Sequence, residues 1–197
     1  MLKRIICILI TSVIVVSPVC AQDKREVKAV QKEAKAMVKQ YEKEGFRSID
    51  MRDLQPQFEN YLYGVRFGHK PIIGIADDCP SRSLALKEAK NEARSEYAAE
   101  ASADVSSIML SNTSGVNEIV AKQILDEYKV QASAQINGEL NECVVMMRQR
   151  KNRYDVRVFY LIDHEAAHAA NMRAMKRALE KLDLLKDYDL VITEWIN

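Results

Sequence analysis

A chain of 197 residues with 29 Lys and Arg against 28 Asp and Glu is almost neutral, so it lacks the basic excess that holds proteins on nucleic acid or on an anionic membrane surface. Its length suits one domain with a well-buried core. Beyond the first residues no apolar run is long enough to span a bilayer.

The chain begins Met-Leu-Lys-Arg, continues with an almost unbroken apolar run from Ile5 to Val16 and closes with Ser17-Pro18-Val19-Cys20-Ala21. A basic start, a short apolar core and small-residue positions at Val19 and Ala21 read as a signal peptide over 1–21, cleaved after Ala21. The run is too short for a permanent anchor. A competing reading is a lipoprotein acylated at Cys20, but Ser17, Pro18 and Val19 make a poor lipid-attachment context. Soluble export, to the periplasm or beyond, is the expectation. Cleavage takes away Lys3 and Arg4 and leaves 27 basic against 28 acidic residues, so the mature chain keeps the same balance.

From Asp23 to Glu44, Val27, Val30, Ala34, Met37, Val38 and Tyr41 recur at helical spacing among Lys and Glu, and Gly45 ends the pattern. This is a charged surface helix with one thin apolar stripe. Phe46 to Asn60 is polar and contains Pro56, so it reads as a linker with at most a short helix. Residues 22–60 then form a charged helix and linker, and 61–197 an α+β domain. Tyr61 to Phe67 fits a strand or a helix end. After the turn residues Gly68 to Pro71, Ile72 to Ala76 reads as a buried strand in which Gly74 marks close backbone approach. Asp77 and Asp78, beside Pro80 and Ser81, read as turn chemistry at a helix start.

Over Ser81–Leu110 the residues Ala85, Ala89, Ala93, Tyr97, Ala101 and Val105 recur every fourth position, continuing into Ile108 and Met109, with a stop cluster from Ser111 to Gly115. A face made mostly of alanine fills little space, so it must lie close against a sheet that carries the bulk. A second helix is expected over Val116–Lys129, with Ile119, Val120, Gln123, Ile124 and Tyr128 inward. Gln131 to Asn141 gives no firm pattern.

Cys143 to Met147, a charged turn around Lys151-Asn152 and the alternation of Tyr154, Val156, Val158, Tyr160 and Ile162 predict a β-hairpin with that face on the core. Asp155, Arg157, Phe159 and Leu161 take the other face, which is expected to be partly covered. A last helix over Asp163–Lys186 buries Ala170, Ala174, Ala178, Leu182 and Leu185. The tail carries the only Trp, Trp195, as an edge strand or a clip.

Two cysteines remain after cleavage, Cys79 and Cys143. In an exported chain they can pair in only one way, closing a loop of about 64 residues worth roughly 4 kcal/mol; the alternative is two buried free thiols. Neither stands in a metal-type spacing. One motif carries chemistry. His164-Glu165-Ala166-Ala167-His168 matches HExxH, in which two imidazoles four apart on a helix hold zinc and the Glu activates its water. A third ligand is missing nearby: His69 is far away in sequence, Glu180 lies on the same helix, and Glu194 is in the tail. Asp163 as an N-cap and Glu165 at the positive helix end explain those two residues without metal. No nucleophile elbow, phosphate loop or dinucleotide fingerprint occurs.

The order of these elements, with KEGF closing the first helix, IIGIA in the strand, the long Ala-rich helix carrying Ala89, Ala93 and Arg94, and the hairpin VVMMRQRKNRYDVRVFYLI, resembles the small exported proteins related to the twenty-kilodalton surface lipoprotein of Helicobacter, in the non-lipidated form common in Bacteroidales. The resemblance implies a cystatin-like antiparallel sheet packed on a long helix, with added N- and C-terminal helices. It implies an envelope or interaction protein, and it assigns no functional residues. The expectation is therefore a non-enzymatic, exported binding domain for a protein or envelope component, without a cofactor. The alternatives are a zinc metallopeptidase (His164, His168, Glu165) and an outer-membrane lipoprotein.

Overall fold

A computed structural model of the chain describes residues 19–112 and 118–184. The signal-type segment up to Pro18, the turn cluster from Thr113 and the Trp195 tail lie outside the described residues. Among the described residues the fold is mixed α+β, with five helices and one four-stranded antiparallel sheet. In chain order the elements are α1 (Val19–Lys43), β1 (Arg47–Ser48), α2 (Leu54–Arg66), β2 (Lys70–Cys79), α3 (Arg82–Asn112), α4 (Glu118–Gln135), β3 (Asn141–Arg150), β4 (Arg153–Ile162) and α5 (His164–Lys181). A single 3-10 turn, Ile136–Gly138, joins α4 to β3.

The strand order is β1-β3-β4-β2. The hairpin closes with Arg150 opposite Arg153, and Lys151 turns the chain with a left-handed φ of 55°. β2 runs along the other side of β4, from Lys70 opposite Ile162 to Cys79 opposite Tyr154. Alternation sorts β4 into two faces. Val156, Val158, Tyr160 and Ile162 join the core under α3, α4 and α5. Phe159 and Leu161 join a second core under α1 and α2. With helices on both faces, β4 is the central wall of the molecule, and its whole run from Val158 to Ile162 is buried.

The alanine face behaves as its composition requires. Ala85, Ala89, Ala93, Tyr97 and Ala101 are all buried, and α3 crosses β2 so closely that a Cβ on Gly74 would stand 1.9 Å from the Ala89 carbonyl oxygen. Ser81 starts the helix by accepting the Leu84 N–H at 3.3 Å. On the opposite face the bulk is aromatic. Tyr41 stacks on Phe58 with centroids 5.8 Å apart, and Phe159 meets Phe58 and Tyr61 edge-on at 5.2 Å.

Three sequence expectations change. The Phe46–Asn60 stretch is no linker: it holds β1, paired with β3 through Arg47 and Ser48, and the start of α2. Asp53 caps α2 by accepting the Gln55 N–H at 2.9 Å, and Pro56 falls in its first turn, where a missing N–H removes no helical bond. The 60/61 division therefore lies inside α2. Secondly, β2 extends to Cys79 and takes in Asp77 and Asp78 as strand residues, not turn residues. Thirdly, α4 continues to Gln135 and leaves Ile119 and Gln123 exposed while burying Ile124, Tyr128, Gln131 and Ala132. The reason is its position: α4 rests on α3 and α5, and the stripe follows those two helices.

Candidate functional site

The HExxH residues occupy the first turn of α5. Asp163 caps it, accepting the Glu165 and Ala166 N–H groups at 2.9 and 3.1 Å. The inward face is fixed by Ala167, whose carbonyl lies 3.2 Å from the buried Tyr97 hydroxyl, and by Asn171, whose Oδ1 lies 2.6 Å from the same hydroxyl. His164, Glu165 and His168 are on the outward face and exposed. His69 comes nearer than the sequence suggested, because the adjacent Lys70 pairs with Ile162. Lys70 turns toward α3, where it bridges Glu100 at 2.6 Å, and His69, just before the strand, joins no group of metal-type side chains among the described residues. Glu180 stands twelve residues beyond His168, about 18 Å along one helix. Among the described residues no three His, Cys, Asp or Glu side chains are grouped as metal ligands. A catalytic zinc takes three protein ligands; this turn offers His164 and His168, and Glu194 lies outside the described residues.

Cys79 and Cys143 are free, and the pairing considered for them is not made. Cys79 lies in the core under α3 and donates to Glu88 Oε2 at 2.8 Å. Burial, with Glu88 beside it, pushes that thiol up to about 11. Cys143 sits in the bulge between Glu142 and Val144, packs toward the opposite core and donates to the Asn141 carbonyl at 3.5 Å. Opposite faces and about five residues of strand, roughly 17 Å, separate the two, whereas a disulfide needs Cα atoms within about 7 Å.

At the hairpin end the sheet is held by charge. Asp155 is fully buried and accepts from Arg148 Nε at 2.8 Å, Arg150 Nη2 at 3.1 Å and the Asp78 N–H at 2.8 Å. Burial alone would raise its carboxyl, but the Asp78 amide and the two arginines outweigh that and bring it to about 2. Arg153 grips Asp78 with two bonds of 3.0 and 2.8 Å, Arg157 bridges Asp77 at 2.8 Å, and Arg148 donates to the Glu44 carbonyl at 3.0 Å. The cluster ties α1, β2, β3 and β4 together, and its charges are spent on one another.

The open surface lies at the other side of β2. This strand ends the sheet, and its outer edge has no strand partner among the described residues. Beside it runs a groove of about 570 Å³, lined by Ile73 and Ile75 of the strand, Glu92, Ser95 and Glu96 of α3, and Lys129 of α4. Ile75 is 47% exposed. Glu92, Glu96 and Glu100 follow one another at four-residue steps along α3. Burial and then Glu100 and Glu92 push the Glu96 carboxyl up, against the lowering effect of the Ile73 backbone N–H and Lys70. That amide therefore points away from β4, into the groove.

The fold is thus mixed α+β, with helices on both faces of the sheet and, among the described residues, no strand beyond β2. Set against known protein families, characterised proteins and solved structures, the chain matches none. The periodicities show which residues alternate and not which strand comes last. The edge was therefore missed, although Ile73 and Ile75 on the less covered face of IIGIA were its signal.

Proposed function

We propose that the protein is an exported, non-enzymatic binding domain that captures an extended, basic segment of a protein partner along the β2 edge. The carrying observation is that edge, a ten-residue strand with outward amides and an adjoining acidic groove. An added strand would pair with the outward backbone groups, displacing Glu96 from the Ile73 amide, and pockets beside it would select side chains. A Lys or Arg over Glu92 and Glu96 would relieve the repulsion that raises Glu96. The long α3 laid over an antiparallel sheet suits the cystatin-like arrangement implied by the sequence resemblance, with α1 and α2 as an added layer. Export rests on the basic and apolar pattern before Gln22. Attachment through Cys20 is not part of this reading, because its preceding residues suit acylation poorly; intact mass of envelope-derived protein checks this, and a lipid-sized increase on Cys20 would refute it.

A random peptide library selected on the purified protein tests the binding mode. The expected peptides alternate β-branched residues with Lys or Arg. Their binding should fall by at least about tenfold in Ile75→Pro, which removes one outward donor, and in Glu92→Lys/Glu96→Lys, with the fold checked by circular dichroism. Selection of peptides without that pattern, or binding indifferent to both variants, refutes the proposal.

A further inference from the structure

A second opening lies where α3 passes the start of β3. It is a cleft of about 140 Å³ formed by Lys90 and Arg94 of α3, Asn137 and Leu140 of the connection, Glu142 of β3 and Tyr160 of β4. Its parts are unevenly used. Lys90 bridges Glu142 at 2.6 Å, and Tyr160 donates to the same carboxylate at 3.3 Å. Arg94 has one bond, from Nη1 to Asn91 Oδ1 at 3.3 Å, while its Nε is buried and has no acceptor. Leaving a buried charged donor unmet is costly, by about 1–3 kcal/mol or more. The local charge count is also incomplete, since two cations share one carboxylate. Burial and Glu142 push the Tyr160 phenol upward, so it stays a donor at any ordinary pH.

We propose that this cleft binds one small oxyanion, a carboxylate or a phosphate, held by the Arg94 guanidinium that lines it, with Lys90 and the Tyr160 hydroxyl alongside. A guanidinium edge matches two oxygens of either group in a forked pair. Glu142 acts as the internal carboxylate that shares Lys90 and Tyr160 when the cleft is otherwise empty. The cleft is separate from the β2 edge, so this inference does not depend on the peptide-binding reading.

The test is an NMR titration of the purified protein with sodium phosphate and, separately, sodium acetate, at constant ionic strength, following the Arg94 Nε–H and the Leu140 and Tyr160 amides. Saturable shifts with a midpoint below about 50 mM are expected, about tenfold weaker or absent in Arg94→Gln for the two amides. Glu142→Gln should tighten binding severalfold by removing the competing carboxylate, and it decides the matter if Arg94→Gln does not fold. Saturation by acetate alone assigns a carboxylate, by phosphate alone a phosphate, and by both the shared chemistry; each supports the site. Shifts that never saturate, saturation unchanged in Arg94→Gln, or no gain in Glu142→Gln would overturn it.

Discussion

Gly74 and Gly64 make a controlled pair. A Cβ at Gly74 meets the Ala89 carbonyl oxygen at 1.9 Å, which is helix backbone; at Gly64 it meets Leu161 Cδ1 at 2.2 Å, the end of a side chain. Backbone cannot step aside without lifting α3 off the sheet. Gly74→Ala should therefore cost about 3 kcal/mol or more. Gly64→Ala should change stability by no more than about 1 kcal/mol, since Leu161 can rotate and alanine favours the helix. Urea unfolding of both variants measures the difference, and equal losses would contradict the close crossing. Asp155 gives the pH prediction. Its carboxyl falls from an ordinary 3.8 to about 2 on folding; its stabilising effect is complete above the unfolded value and is lost as pH drops through that window. Asp155→Asn should destabilise by about 3 kcal/mol at neutral pH and flatten the stability profile between pH 4 and 2. A variant with the wild-type acid limb would show that other carboxylates set it.

At the scale of elements, α5 separates a cap from a metal motif. Asp163→Ala should cost about 1 kcal/mol by freeing two N–H groups, while Glu165→Gln should leave stability within about 0.5 kcal/mol. Protein prepared without a histidine tag and dialysed free of trace metal should hold far less than one equivalent of zinc. A full equivalent, lost in His168→Ala, would restore the peptidase reading. Elements with one strict period were legible from the sequence. The alanine steps of α3, the alternation of β4 and the Asp163 cap each have a single local cause. α2 was left as one of two options, a short helix ending in Tyr61–Phe67, because Pro56 reads as a breaker unless its place in the first turn is known. The inward face of α4 was right at Ile124 and Tyr128 and wrong at Ile119 and Gln123, because neighbouring helices, not the sheet, choose it. The β2 edge and the Arg94 cleft depend on strand order and on chain segments distant in sequence, and no local pattern encodes either.

Across the whole molecule, two covered faces explain both the cysteines and the charges. β4 has apolar partners above and below, so Cys79 and Cys143 serve as small core residues of different layers. Non-reducing mass analysis should find no bond between them, and thiol labelling of native protein should be slow at Cys79; a 79–143 linkage would require a rearranged sheet. At the hairpin end Asp155 and its arginines hold β2, β3 and β4 together.

The position of β4 in the chain has a temporal consequence. Synthesis proceeds from the amino terminus, yet α1, α2, β2 and α3 all bury their apolar faces against a strand that begins only at Arg153. Until the hairpin emerges, α1 has only α2, and β2 and α4 have only α3, to pack on, and the distant pairings with β4 slow the completion of folding. A chain so arranged completes its two cores only when its last strand has been added.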